Sequence, residues 1–325
     1  MNKQVYGNLA GLRNTQLKRI ENLYNLKSSP EYIISPDIAV ELVEISHEIR
    51  RQTGVLVDRN GKIVCVIAGE PHRIVIPVTP DHMAIPGRLK GLRCVHTHLK
   101  DEPLTRDDLT DLALLRLDFI TAVCLTSDGR PGPVYSGHVL PDETQEPYQV
   151  LPPATVSDLN NDCLTRILAL EAELSRKNAL HKPASGLENA FLINAITQDA
   201  DAAHASMDEL RELCKTSQIT VTGTAIQQRK RIDPKFVVGK GKLSSLVIRA
   251  IQNHATLLVF DRELTPSQIR SITDFVEMKV IDRTQLILDI FAKQAKSREG
   301  KFQVELAQLE YLLPRLITKN TAMSR

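Results

Sequence analysis

Apolar positions recur along the chain with two periods, and the change between them divides it. Residues 1–35 read as an amphipathic helix and a loop ending in SSPEYIISP. In DIAVELVEISHEIRRQ (37–52), Ile38, Leu42, Ile45 and Ile49 share one helical face. GVLVDRNGKIVCVIAG then predicts a hairpin, because Asn60-Gly61 tolerates the positive φ of a tight turn between two β-rich runs. HRIVIPV, LRCVHTHL, FITAVCLT and PVYSGHVL predict further strands, and Thr105-Arg106-Asp107-Asp108 opens the helix DDLTDLALLRLD. These elements form an α+β domain over residues 1–150, bounded by the loop LPDETQEPYQVLPPAT, rich in Pro and acids.

A charged helix over 157–181 predicts a connector spanning residues 151–185. From Glu188 strands and helices alternate: NAFLINAIT, SMDELRELCKTS, ITVTGTAIQQ, FVVGKGKLSSLVIRAIQNH, TLLVFD, TPSQIRSITDFVE and KVID. This alternation predicts a parallel sheet flanked by helices over 186–282, with the functional edge at the strand C-termini. Two helices close the chain over 283–325. Their apolar stripes, Leu286 and Ile290 on one and Leu306, Leu309, Leu313 and Leu316 on the other, are expected to form the seam of a helical hairpin. The fold class is α/β: an α+β domain, then a parallel-sheet α/β domain with a C-terminal helical hairpin.

Composition narrows the class of protein. Apolar residues at 42% and charged residues at 25% suit a globular protein with real cores. The five cysteines are scattered singly with no CxxC pair, which argues against a disulfide framework and for a reducing, cytoplasmic setting. No stretch reaches signal-peptide or membrane-spanning character, so no membrane partner is expected, and the chain is read as a monomer.

Charge is concentrated although the net value is only +2. Residues 227–249 hold Arg229, Lys230, Arg231, Lys235, Lys240, Lys242 and Arg249 against Asp233, a local +6. A second cluster, Lys293, Lys296, Arg298 and Lys301, falls at the expected hairpin tip. Such concentrations suit a polyphosphate, because neutralised phosphates release condensed counterions; an ordinary solvated surface is the competing reading. Gly239 and Gly241 stand where a strand would meet a helix, so their backbone can approach an anion. The turn is not a P-loop: GxxxxGK[ST] needs Gly at 236 and Ser or Thr at 243, where the chain has Phe236 and Leu243. A nucleotide such as ATP at this turn is a further alternative.

F-V-V-G-K-G-K (236–242), L-L-V-F-D-R-E-L-T-P-S-Q (257–268), V-I-D-R-T-Q-L-I-L-D-I-F-A (280–292) and E-G-K-F-Q-V-E-L-A-Q-L-E-Y-L-L-P-R-L (299–316) resemble, in order and spacing, the N-terminal part of HflX-family GTPases. The resemblance covers about residues 188–325. It implies binding to the large ribosomal subunit and its rRNA, in ribosome splitting or rescue. Arg229, Lys230, Arg231, Lys240, Lys242, Lys293, Lys296, Arg298 and Lys301 are the candidate nucleic-acid contacts, and Gly239 and Gly241 the candidate phosphate-binding turn. GTP and Mg would be bound only by a G domain that follows in the family, and the chain is expected to stop short of it.

One constellation lies outside that resemblance. His96-Thr97-His98 on a strand, followed by Thr105-x-x-Asp108 opening a helix, resembles the zinc-binding core of JAB/MPN metalloproteases. Two imidazoles and a carboxylate can hold Zn with one position left for water. The spacer between His98 and Thr105 is one residue shorter than that family's pattern. Where it places a general-base Glu, this chain has Arg50-Arg51-Gln52-Thr53, and Glu48 and Glu70 are out of register. Thr105 and Asp108 also satisfy a plain helix cap. Residues 50–140 are therefore an alternative seat of function, as a metal-dependent hydrolase or a metal-binding module.

Overall fold

The computed structural model describes residues 4–77, 88–140, 147–158, 163–180, 188–197, 200–276 and 278–320. Two compact units divide at Lys177/Asn178. The first begins with β1 (Val5–Gly7), α1 (Asn14–Asn22), α2 (Pro36–Ile49), β2 (Thr53–Asp58) and β3 (Ile63–Ala68). It continues through β4 (Leu92–His98), α3 (Arg106–Leu114), β5 (Phe119–Leu125), β6 (Pro131–Val139), β7 (Tyr148–Val150) and α4 (Cys163–Leu180). Its sheet runs β1-β3-β2-β4-β5-β6-β7, with β1 parallel to β3, β4 parallel to β5, and the other pairs antiparallel.

The β2–β3 hairpin turns at Asn60-Gly61 as its sequence predicts, and Gly61 has φ +83°. A side chain there would meet the Ser28 carbonyl, which closes the position to any other residue. Strand alternation splits the core into two layers. Val55, Val57, Val66, Val95 and Val123 pack under Ile38, Leu42 and Ile45 of α2. Leu56, Cys65, Ile67, Cys94 and Ile120 face the opposite way, toward Leu112 of α3. Two expectations change here. The N-terminal segment contributes the short strand β1 as well as a helix, and HRIVIPV makes only an isolated bridge between Glu70 and Arg73, with no ladder along residues 74–77. The helix read as a connector, α4, docks on the first unit through Cys163 and Ile167, against Leu89 and Phe119.

The second unit holds β8 (Asn189–Ile196), α5 (Ala200–Thr216), β9 (Thr220–Gln228), α6 (Lys240–Gln252), β10 (Leu257–Phe260), α7 (Pro266–Thr273), β11 (Lys279–Asp282), α8 (Arg283–Gln294) and α9 (Arg298–Asn320). Its four strands are all parallel in the order β11-β10-β8-β9, the architecture the alternation predicts. Met207, Leu210 and Cys214 of α5 and Leu286 and Ile290 of α8 pack on Ala190, Leu192, Leu257 and Val259. FVV is not a strand: Val237 forms a bridge to Asp233 and sits at φ +64°.

Helices α8 and α9 do form a hairpin, but not by the expected seam. Leu306, Leu309 and Leu313 are each more than half exposed, as is Phe302, while Tyr311 is buried. Leu286 and Ile290 face the sheet. The helical period fixes which residues share a face; the core takes the face carrying Tyr311. The side chain of Leu316 lies outside the described residues. Replacing Leu309 by Asp is therefore expected to change this chain's stability by no more than about 0.5 kcal/mol, as at other exposed sites. Thermal denaturation measures it, and a loss above about 2 kcal/mol would restore the seam.

Candidate functional sites

The first candidate is a cationic cleft at the C-terminal end of the edge strand β9. Arg229, Lys230, Arg231, Lys240 and Lys242 line it together with Gln227, Gln228, Gly239, Gly241 and a single carboxylate, Asp233. The chain leaves β9, turns through residues 229–239, and enters α6 with Gly239 as its N-cap. Asp233 is committed to this turn, where its Oδ1 accepts from the amides of Lys235 (2.9 Å) and Phe236 (2.7 Å). The lysines stay exposed, with Lys240 Nζ over the Phe275 ring at 5.2 Å. The cleft encloses about 940 Å³ and opens widely to solvent. An open cleft with five cations and a spent carboxylate suits a polyanion better than a small neutral ligand.

The two glycines differ in what they do. Gly239 has φ +79°, and a Cβ there would stand 2.4 Å from Arg229 Nη1, so glycine lets the guanidinium lie across the helix N-terminus. Gly241 is inside α6, and a Cβ there would meet nothing within 4 Å. The expected role of Gly241 in close backbone approach is not required by the structure.

The second basic cluster is elsewhere on the same unit. Because α8 runs back from the C-terminal end of β11, its last turn reaches the N-terminal end of the strands. There Lys293 Nζ donates to the Ser217 carbonyl at 3.2 Å, beside the start of β9. Lys296, Arg298 and Lys301 are exposed around the α8–α9 turn, with Arg298 over Phe302. The nine candidate contacts thus form two separate patches.

The composition and periodicity of the sequence did not signal the polar groups buried at the sheet's topological switch point, between β8 and β10. Asn194 Nδ2 donates to Asp261 Oδ2 at 2.8 Å, and Arg283 Nη1 donates to Asp261 Oδ1 at 3.1 Å. Arg283 also pairs with Glu209. The readable signal was the Asp-Arg pair repeated at two strand ends, Asp261-Arg262 and Asp282-Arg283. These groups satisfy one another at the crevice in which doubly wound sheets usually take a ligand.

Residues 204–292 match the family model described as GTP-binding GTPase N-terminal, and residues 294–325 the one described as GTP-binding GTPase Middle Region. GTPase HflX of Alkalihalophilus pseudofirmus is 46% identical over 140 residues, covering 43% of this chain and 33% of that protein. GTPase HflX of Escherichia coli is 38% identical over 139 residues, covering 42% and 32%. The C-terminal unit is thus similar to the N-terminal part of HflX-family GTPases. The chain spans about a third of the length of these curated relatives. A crystal structure of a GTP-binding protein from Sulfolobus solfataricus in complex with GDP aligns with 42% of this chain and 40% of that one, at 25% identity and a TM-score of 0.32. The matched family regions begin at residue 204 and leave the first unit outside them.

In that first unit His96, His98 and Asp108 come together as expected. The Nε2 atoms of His96 and His98 are 3.0 Å apart. Asp108 Oδ1 lies 3.3 Å from His96 Nε2, and Oδ2 lies 3.5 Å from His98 Nε2. Strand alternation puts both histidines on the α3 face of β4, while Thr97 points to the other face and meets Ser46 of α2 at 2.6 Å. Asp108 is third in α3, where Thr105 closes a capping box: Oδ2 accepts from Thr105 N and from Thr105 Oγ1, both at 2.7 Å. The cap reading and the cluster reading are both satisfied by one carboxylate. Burial pushes the Asp108 carboxyl up, but hydrogen bonds from His96 and His98 outweigh it and hold the group well below the usual carboxylate range. Burial lowers His98, but its bonds to Asp108 and to the Glu102 carbonyl, with the charges of both residues, together outweigh that and raise it. Burial drives the Cys94 thiol well above its ordinary value, so Cys94 is a neutral core residue.

No general base accompanies the cluster at the positions expected for one. Arg51 turns away to donate to the carbonyls of Asn8 (2.7 Å) and Ala10 (2.8 Å). Glu48 pairs with Arg19, and Glu70 is exposed.

Proposed function

We propose that this chain is the ribosome-binding portion of an HflX-type GTPase and grips rRNA phosphates of the large ribosomal subunit. The observation that supports this reading is the cationic cleft of Arg229, Lys230, Arg231, Lys240 and Lys242, set in the unit that matches the HflX family. Lys296, Arg298 and Lys301 supply a second anchor toward the opposite, N-terminal end of the strands. In this reading GTP and Mg are bound by a G domain, whose P-loop motif is not found in residues 1–325. Ribosome splitting or rescue is the activity of such an assembly, in the cytoplasm and with no membrane partner. Among the described residues no helix is long and apolar enough to cross a membrane.

Phosphate binding makes a specific demand on salt dependence, because each neutralised phosphate releases counterions. Co-sedimentation of the whole chain with purified large subunits is expected at low salt and should fall steeply as salt rises. Lys240→Glu with Lys242→Glu should weaken binding and lower the slope of log affinity against log salt by about 2, roughly one for each phosphate no longer neutralised. Lys296→Glu with Arg298→Glu should lower it separately, since the patches are apart. A chain that stays in the supernatant at low salt, or a slope unmoved by either pair, would refute the reading.

A further inference from the structure

We propose that His96, His98 and Asp108 hold one divalent transition metal, zinc by the chemistry of the donor set, as a clasp between β4 and α3. Two imidazoles and a carboxylate are a recurrent zinc ligand set. Tetrahedral zinc with bonds of about 2.0–2.2 Å places neighbouring ligand atoms about 3.3–3.6 Å apart. The two imidazole Nε2 atoms are 3.0 Å apart, and Asp108 approaches His96 through Oδ1 at 3.3 Å and His98 through Oδ2 at 3.5 Å. One ligand atom from each residue lies within 4.8 Å of the other two, a spread that a small rotation of the carboxylate brings to the edges of one face of such a tetrahedron. Among the described residues these three are the group of His, Cys, Asp and Glu ligand atoms that converges closely enough for a metal.

The surroundings prepare the ligands. His98 Nδ1 lies 2.7 Å from the Glu102 carbonyl, a bond that places the ring proton on Nδ1 and leaves Nε2 free to coordinate. The capping box orients Asp108 from behind. His96 is buried, and its Nδ1 has no hydrogen-bond partner, so its polar contribution is made through Nε2. Gly54 pairs with His96 across the sheet, and a Cβ there would stand 2.3 Å from Ile74 Cδ1 and 3.1 Å from His96 Cβ. Ile74 thus closes over the strand beside the ligands.

Closure and the positions of Arg51 and Glu48 decide the role. A hydrolytic zinc site needs an accessible open position and a base for its water. Here the ligands are buried, and the guanidinium standing where that base is expected is tied to Asn8 and Ala10. A metal in this place instead links the C-terminal end of β4 to the first turn of the nine-residue helix α3, across the loop between them.

The test uses the whole chain, stripped with a chelator and titrated with Zn²⁺ or Co²⁺. About one zinc per chain is expected, with a rise in melting temperature on metal addition. Bound Co²⁺, with an enclosed water as its fourth ligand, should show the strong visible bands of a four-coordinate site without thiolate-to-cobalt charge transfer. His98→Asn with Asp108→Asn keeps side-chain volume and a capping oxygen, and should abolish stoichiometric binding. The proposal is overturned by zinc that stays far below one per chain, by thiolate charge transfer, or by full binding in the folded double variant. The cobalt spectrum of the unaltered chain decides the ligand set even if the variant does not fold. A metal that binds without raising the melting temperature would overturn the clasp.

Discussion

Asp282→Ala is expected to destabilise the HflX-type unit by about 3–5 kcal/mol, the range for removing one partner from a buried charged network. Asp282 is the last residue of β11 and the N-cap of α8, and it is fully buried. Its Oδ1 accepts from the Gln285 amide at 2.9 Å, and its Oδ2 accepts from the Leu264 amide at 2.8 Å. Arg315 of α9 lies 3.8 Å from Oδ2, stacks on Tyr311 and donates to the Leu264 carbonyl at 2.8 Å. One carboxylate thus ties a strand end, a helix cap, the loop before α7 and the last helix. Alanine leaves two buried amides without an acceptor and removes a counter-charge from Arg315. For a unit of this size the melting temperature should fall by roughly 10 °C. Asp274→Ala is the contrast: its pair with Arg270 at 3.6 Å is exposed, and such pairs contribute about 0–1 kcal/mol. The chain has no Trp, so circular dichroism is the natural probe. A loss below about 1 kcal/mol for Asp282→Ala would show that the network is not what holds α9.

The features legible in the sequence are those fixed by local chemistry. Asn60-Gly61 could be read as a turn because few residues tolerate its φ. Thr105 and Thr265 could be read as helix starts because their hydroxyls accept the amides of Asp108 and Gln268. The parallel sheet followed from alternating periods, and the His-x-His spacing put two imidazoles on one strand face. What could not be read depends on which partner arrives from elsewhere. The Leu306, Leu309, Leu313 stripe has the right period for a seam, yet the face holding Tyr311 and Arg315 wins because Arg315 finds Asp282 and the Leu264 carbonyl. The two basic clusters could be named from the sequence but not placed relative to each other; α8 reverses direction and carries the second one toward the start of β9, away from the cleft. Arg51 became visible as a clamp on Asn8 and Ala10 only once the N-terminal segment was placed.

Phe119→Ala tests where α4 belongs. Phe119 is the first residue of β5, fully buried and edge-to-face with His138 at 5.6 Å. Cys163 and Ile167 of α4 pack into the same cluster, with Leu170 and Leu174 at its margin. The helix is also pinned by charge. Arg59 grips Asp118 with two bonds of 2.8 and 3.0 Å and reaches Glu171 of α4 at 2.7 Å. Truncating the ring leaves a cavity under α4 that the sheet cannot collapse to fill, at an expected cost of about 3–5 kcal/mol. The Arg59–Glu171 pair is partly exposed and should compensate little. The thermal transition of the first unit should therefore move down while that of the HflX-type unit stays in place. Amide exchange should quicken along residues 163–176, because the helix loses its main apolar anchor. Two transitions that fall together would mean that α4 is not a private element of the first unit. An unchanged first transition would mean that its apolar packing contributes nothing.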